Sequence, residues 1–347
     1  MNSKLRQQGY VLLAMLLVFF VSGSSLMIST MNNRQSTALK QQQELQIQLA
    51  AAKAALLAYA ANTPQLFDDA VGPGYLPCPD ISNSAVGTTT CTATSTSKIL
   101  GRLPEYVLDS NGSKFAINDH YAGVDQQFWY AVSPYHLRET SNTFRDARNR
   151  TDAVTYNRLK LDGVDDIAAL IIAPGSALAT QDRASNLNLY SNYLDGTNGS
   201  SATDYISLYN DNPEAFNDTV LAITHDELMQ VAGYRMAAKL KTYLDAAHGG
   251  TSYPSSCYLS GAQRVQLTYF TALKQSWSDI EDYDLRSSSA YTSLACSPNT
   301  VSYYRPSRTY YTLTGNNTAT VYFRGCNLMT FQLTYGGGIT RVGDTCE

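Results

Sequence analysis

The chain has 347 residues, enough to bury a sizeable core in one large domain or two modest ones. Charged residues make up 16%, and Lys+Arg 25 against Asp+Glu 29 leave a formal net charge of −4. No basic stripe is present to neutralise phosphates, so nucleic acid is excluded as the expected partner. The 25 tyrosines suit a hydrogen-bonding surface more than a cytosolic enzyme.

The first element is "KLRQQGYVLLAMLLVFFVSGSSLMIST", a short basic leader, one glycine, then an apolar run. Tyr10 to Ile28 carries no charge. As a helix it would be about 28 Å long, close to the hydrocarbon thickness of a bilayer. The basic leader should stay cytoplasmic and send the bulk of the chain outward. From Met27 through Asn62 there is neither proline nor glycine, and Ala, Gln, Leu and Lys dominate. Leu45, Leu49, Ala52, Leu56 and Tyr59 fall on one helical face, and Pro64 marks the stop. The pattern predicts one continuous helix over residues 10–62, apolar at its start and amphipathic at its end. A helix that long needs something outside itself to pack against.

A glycine directly before the apolar segment, rather than after it, resembles the class III signal of type IV pilins and type II secretion pseudopilins. The resemblance implies cleavage between Gly9 and Tyr10 by a prepilin peptidase, with N-methylation of Tyr10. It implies a leader over residues 1–9, an assembly helix over 10–62 and a head over 63–347. It further implies a single-pass protein of the inner membrane whose head is periplasmic, passing later into a pilus or pseudopilus at the cell surface. The partners implied are the inner membrane, the peptidase and other subunits, met through the helix. Major pilins carry glutamate at the fifth mature position, where this chain has Ala14. That carboxylate offsets a neighbour's N-terminal amine inside an apolar core, where an unpaired charge is costly. Its absence points to a minor, tip-proximal or initiating subunit. Two other classes fit the same segment: an anchored periplasmic protein, hydrolases included, and an adhesin secreted by cleavage near Gly23-Ser24-Ser25.

Beyond the helix, Gly, Pro, Ser and Thr clusters in "VGPGYLPCPDISNSAVGTTTCTATSTSK" read as loop. "LGRLPEYVLDSNGSKFAI" reads as a turn-rich feed into a strand at Phe128–Val132. "DDIAALIIAPG" predicts a buried strand at Ile167–Ala173. A further strand is expected at Val220–Thr224, followed by a helix to about Ala247. Thr224 and Glu227 have the spacing of a capping box, and Gly249-Gly250 would end the helix. The phrases "GYLPCPD", "LGRLP", "FWYAVSP", "IIAPG", "NYLDG" and "FNDTVLAITHDELM" together resemble a group of long prepilin-like proteins of Gram-negative bacteria. After a subdivision near 250–262, Tyr- and Thr-rich runs predict an antiparallel meander with "TGNNT" as a hairpin loop. The fold class expected is therefore α+β: a long N-terminal helix on a head with antiparallel sheet, as in pilins.

The six cysteines, Cys78, Cys91, Cys257, Cys296, Cys326 and Cys346, have no metal spacing and read as three disulfides. Loop-closure cost favours Cys78–Cys91, Cys257–Cys296 and Cys326–Cys346, although the sequence leaves the pairing open. Catalytic motifs are wanting. None of the histidines, at 120, 136, 225 and 248, belongs to H-E-x-x-H, and His225 is explained as the first residue of a helix. Ser176 lacks the flanking glycines of a nucleophile elbow, and Ser95 with Lys98 is an S-x-x-K match inside low-complexity sequence. Asp162/Asp165/Asp166, Asp195 and the stretch around Asp211 and Asp218 raise the question of calcium, which wants clustered oxygens. The reading preferred for them is solvated turns, with no metal or other cofactor and no enzymatic activity.

Overall fold

The structure is a computed structural model. It describes residues 39–63, 73–82, 84–87, 99–118, 127–137, 159–184, 189–200, 203–207, 215–247, 309–315, 317–323 and 326–343. The chain divides into two compact units, Met1–Ala50 and Ala51–Glu347.

Residues 39–63 form a helix, α1. Leu49, Ala52, Leu56, Tyr59 and Ala60 are buried along it, which is the apolar face expected from the sequence. Lys53 fixes the helix to the head: its Nζ donates to the Ala222 carbonyl at 2.8 Å and to both Glu227 oxygens at 2.6 and 2.8 Å. Tyr59 adds an edge-to-face contact with Phe115, centroids 5.7 Å apart.

Among the described residues the strands form three sheets. In a small one, β1 (Val86–Gly87) runs parallel to β3 (Tyr106–Leu108), which pairs antiparallel with β4 (Lys114–Ala116). β1 lies in the stretch expected as loop, while β3, β4 and most of β2 (Ile99–Arg102) occupy the stretch expected to be turn-rich. The strands are two to four residues long, too short for any periodicity to show. The principal sheet runs β2, β5 (Trp129–Val132), β7 (Val164–Ala173), β6 (Leu159–Leu161) and β8 (Asp204–Tyr205), with β9 (Thr219–Thr224) paired to β7. β7 is buried from Ile167 onward, and burial of every successive residue explains its unbroken apolar run. Leu100, Trp129, Leu159, Leu170, Ile172, Tyr193 and Tyr205 belong to the core against this sheet.

The β6–β7 hairpin turns on Asp162 and Gly163, whose φ values of 54° and 77° suit an Asp-Gly type I′ loop. Asp162 also accepts the Ser207 N–H at 2.9 Å, and Asp165 pairs with Lys160 at 3.4 Å. Asp162 is thus a turn residue and Asp165 a surface one.

β9 passes directly into α2 (His225–Ala247). The capping box is present: Glu227 accepts the Thr224 N–H at 2.9 Å, while Thr224 Oγ1 accepts the Glu227 N–H at 3.2 Å. α2 packs on β7 and β9 and also on the C-terminal meander, β10 (Thr309–Gly315), β11 (Thr318–Phe323), β12 (Cys326–Thr334) and β13 (Ile339–Val342). Ala319, Val321, Met329, Phe331 and Leu333 form the buried face of that meander, with Tyr234 of α2 edge-on to Phe331. β10 and β11 meet at Gly315 and Thr318, within "TGNNT".

The inner-membrane single-pass placement expected from the apolar run must be corrected. Among the described residues no helix is long and apolar enough to cross a membrane. α1 carries Lys40, Glu44 and Lys53, and α2 carries Asp226, Glu227, Arg235 and Lys241, groups that hydrocarbon would not solvate. The Tyr10–Ile28 run itself lies outside the described residues, as do Gly9, Ala14, Gly249-Gly250 and the expected subdivision near 250–262.

Candidate functional site

The six phrases quoted from the sequence are not scattered in the fold. "GYLPCPD" bridges to "LGRLP" through a reciprocal pair, Asp80 N–H to Arg102 carbonyl at 2.9 Å and Arg102 N–H to Asp80 carbonyl at 2.8 Å. Gly101 permits that approach, because a Cβ there would stand 2.7 Å from the Asp80 carbonyl oxygen. "LGRLP" and "FWYAVSP" are the neighbours β2 and β5. "IIAPG" ends β7, which lies between β5 and the β9 strand of "FNDTVLAIT".

Their side chains meet in one buried network. The Arg102 guanidinium lies 5.7 Å from the rings of both Trp129 and Tyr193 and donates to Gln127. Trp129 and Tyr193 are 5.3 Å apart. Arg183 also packs on Tyr193, at 5.2 Å, and donates to Gln181 at 3.0 Å. Gln181 in turn donates to Asp195 Oδ1 at 2.8 Å.

Asp195 stands at the junction. Its Oδ2 accepts the Asn217 N–H at 2.7 Å, and its own N–H donates to Asp218 Oδ2 at 2.9 Å. Asn198 Nδ2 donates to the same Asp218 oxygen at 3.1 Å and to the Ile206 carbonyl at 3.0 Å, while Asn198 Oδ1 accepts the Ile206 N–H at 2.9 Å. Asn217 reaches back to the Ser176 carbonyl at 2.9 Å. At Gly175 a Cβ would fall 2.0 Å from Asn217 Oδ1, so only glycine fits. Asp195 and Asp218, which sequence spacing could not connect, are thereby held together and almost fully buried.

Burial pushes the Asp218 carboxyl up to about 7. The bond from Asp195 N–H opposes this, the Asp195 charge adds to it, and Asn198 and Arg183 act to lower it. Asp218 Oδ1 finds no donor among the described residues. The two carboxyls accept two backbone N–H groups and two side-chain amides, and so fasten the loop around 195–206 to the foot of β9. Among the described residues no group of three His, Cys, Asp or Glu is placed to hold a metal ion. Asp211 lies outside them.

A second buried polar centre lies where β5 ends and α2 begins. His136 and His225 are 4% and 6% exposed, with ring centroids 5.4 Å apart. His225 is the first residue of α2, as the sequence implied, but its contact with His136 was not legible there. Burial, then the His225 charge, hold the His136 imidazole well below its ordinary value.

Cys78 is fully buried and disulfide-bonded. The three expected pairings fall on Cys91, Cys257, Cys296, Cys326 and Cys346, whose side chains lie outside the described residues, as do the processing positions Gly9 and Tyr10. Arg102, Trp129 and Tyr193 sat inside quoted phrases, whereas Gln181 and Arg183 lie in "ATQDRASN", where nothing distinguishes them from loop. No protein-family model, no curated protein and no solved structure matches the chain.

Proposed function

We propose that the chain is a non-enzymatic minor pilin or pseudopilin, a structural subunit of a type IV pilus or a type II secretion-like filament, joined to neighbouring subunits through its N-terminal helix. The observation that carries this reading is the change of surface along α1. From Leu49 on, one face is buried, with Lys53 tied to the head. Over residues 39–48 no side chain is buried, and Leu39 and Ile47 are 61% and 63% exposed. Residues 39–48 make about three turns, and a helical stretch so short is marginal in water without packing, so the apolar positions there favour helices of other subunits as cover.

The glycine before the apolar run supports processing between Gly9 and Tyr10, and Ala14 supports a tip-proximal or initiating place. A structural role also accounts for the Asp195–Asp218 pair, in which one oxygen of each carboxyl accepts a backbone N–H. The test is a photo-crosslinking side chain at position 47 in cells that assemble the filament. Crosslinks to a pilin-type subunit or a second copy are expected. Crosslinks confined to the chain's own head would overturn the reading.

A further inference from the structure

We propose that His136 and His225 form an acid-sensitive latch, protonation of which loosens the junction where β5, β9 and α2 hold α1. Three independent features oppose a charge on this pair. Both rings are buried, so either imidazolium would lose its hydration. The rings face each other at 5.4 Å, so a second charge would meet the first. His225 opens α2, where the helix dipole disfavours a cation.

The pair sits at the point where several elements join. The His136 carbonyl accepts the Leu76 N–H at 2.6 Å, tying in the segment that precedes the small sheet. Two residues beyond His225, Glu227 caps Thr224 and grips Lys53. Among the described residues, the ionisable groups carried by the surrounding elements are Lys53 and Tyr59 of α1, Tyr75, Tyr130 of β5, and Asp226 and Glu227 of α2; β9 carries none. Glu227 is committed to Lys53, and the neighbour whose charge bears on His136 is His225. Burial raises the Glu227 carboxyl, but the bonds from Lys53 and Thr224 outweigh it and leave the group below its ordinary value. Glu227 therefore stays ionised in mild acid, and its bond to Lys53 is not what such acid removes.

The sign follows from linkage. A histidine held below its ordinary value in the folded state contributes stability that is complete above the unfolded value and is lost as pH falls below it. Hydrogen exchange of the full-length chain, corrected for intrinsic rates, is the test. Between about pH 7.5 and about pH 5.5, amides of residues 225–230 should open roughly tenfold more often while those of β7 do not change, and His136→Gln, which leaves the His225 ring alone, should shrink the difference. An equal pH response with and without His136, or none in either, would overturn the latch. Should His136→Gln fold poorly, an NMR titration of the two imidazoles in the unaltered chain decides. Rings that charge only as α2 loses protection support the proposal. Rings that titrate near 6.5 with protection intact contradict it.

Discussion

The two buried polar centres of the head meet the same physical problem and answer it with opposite signs. In both, removal from water favours the neutral form of the side chain. For Asp218 that means holding a proton, and its carboxyl rises to about 7. For His136 it means refusing one, and its imidazole falls. A carboxyl raised on folding contributes stability that is complete below the unfolded value and is lost as pH rises through the folded one. The histidine contribution runs the other way. Each centre therefore masks the pH response of the other, and a flat stability profile in mild acid would be a cancellation rather than an absence.

The largest effect expected comes from removing one side of that cancellation. Asp218→Asn keeps an acceptor for the Asp195 and Asn198 donors but cannot ionise. Relative to the parent it should gain stability as pH rises from about 4 to about 7, by on the order of 4 kcal/mol in all, leaving the histidine limb exposed. Urea titrations across that range would measure it. If parent and variant keep a constant difference, Asp218 does not titrate as its surroundings demand.

Next in size, Gly175→Ala places a methyl group on Asn217 and should cost about 1–3 kcal/mol or more. The loss should fall on the loop around 195–206 and leave exchange at the start of α2 unchanged. If both regions loosen equally, the two centres are not independent.

Thr224→Ala addresses the other region. It removes one half of the capping box and should cost about 1 kcal/mol in thermal or urea unfolding, with added fraying beside His225. The smallest effect expected is from Arg183→Gln, which removes a cation from Tyr193 and should cost about 0.5–1 kcal/mol. Asp218 should then titrate slightly higher, because Arg183 helps to lower it.

What was legible in the sequence follows the length and regularity of each element. The apolar face from Leu49 to Tyr59, the run that becomes β7, the Thr224–Glu227 box and the Tyr/Thr meander all repeat a pattern over several residues, and each appears in the fold. β1, β3 and β4 were missed because strands of two or three residues bounded by Gly, Pro and Asp carry no period. The Asp195–Asp218 pair escaped for another reason. Its two members are 23 positions apart and are joined by a loop bond whose geometry depends on Gly175. His136 and His225 are farther apart still, and only the antiparallel course of β5, β7 and β9 brings their ends together. Long-range polar contacts leave no local signature, so the sequence pointed to several of the residues but not to their meeting.

The central claim, a pilin-type subunit, is tested most directly at the N-terminus. Mass spectrometry of the mature chain, from cells with and without a prepilin peptidase, reads it in one step. The account predicts a methylated start at Tyr10 that disappears without the enzyme and in Gly9→Ala. A chain that retains Met1, or one that begins near Ser25, in cells with the active peptidase would contradict it.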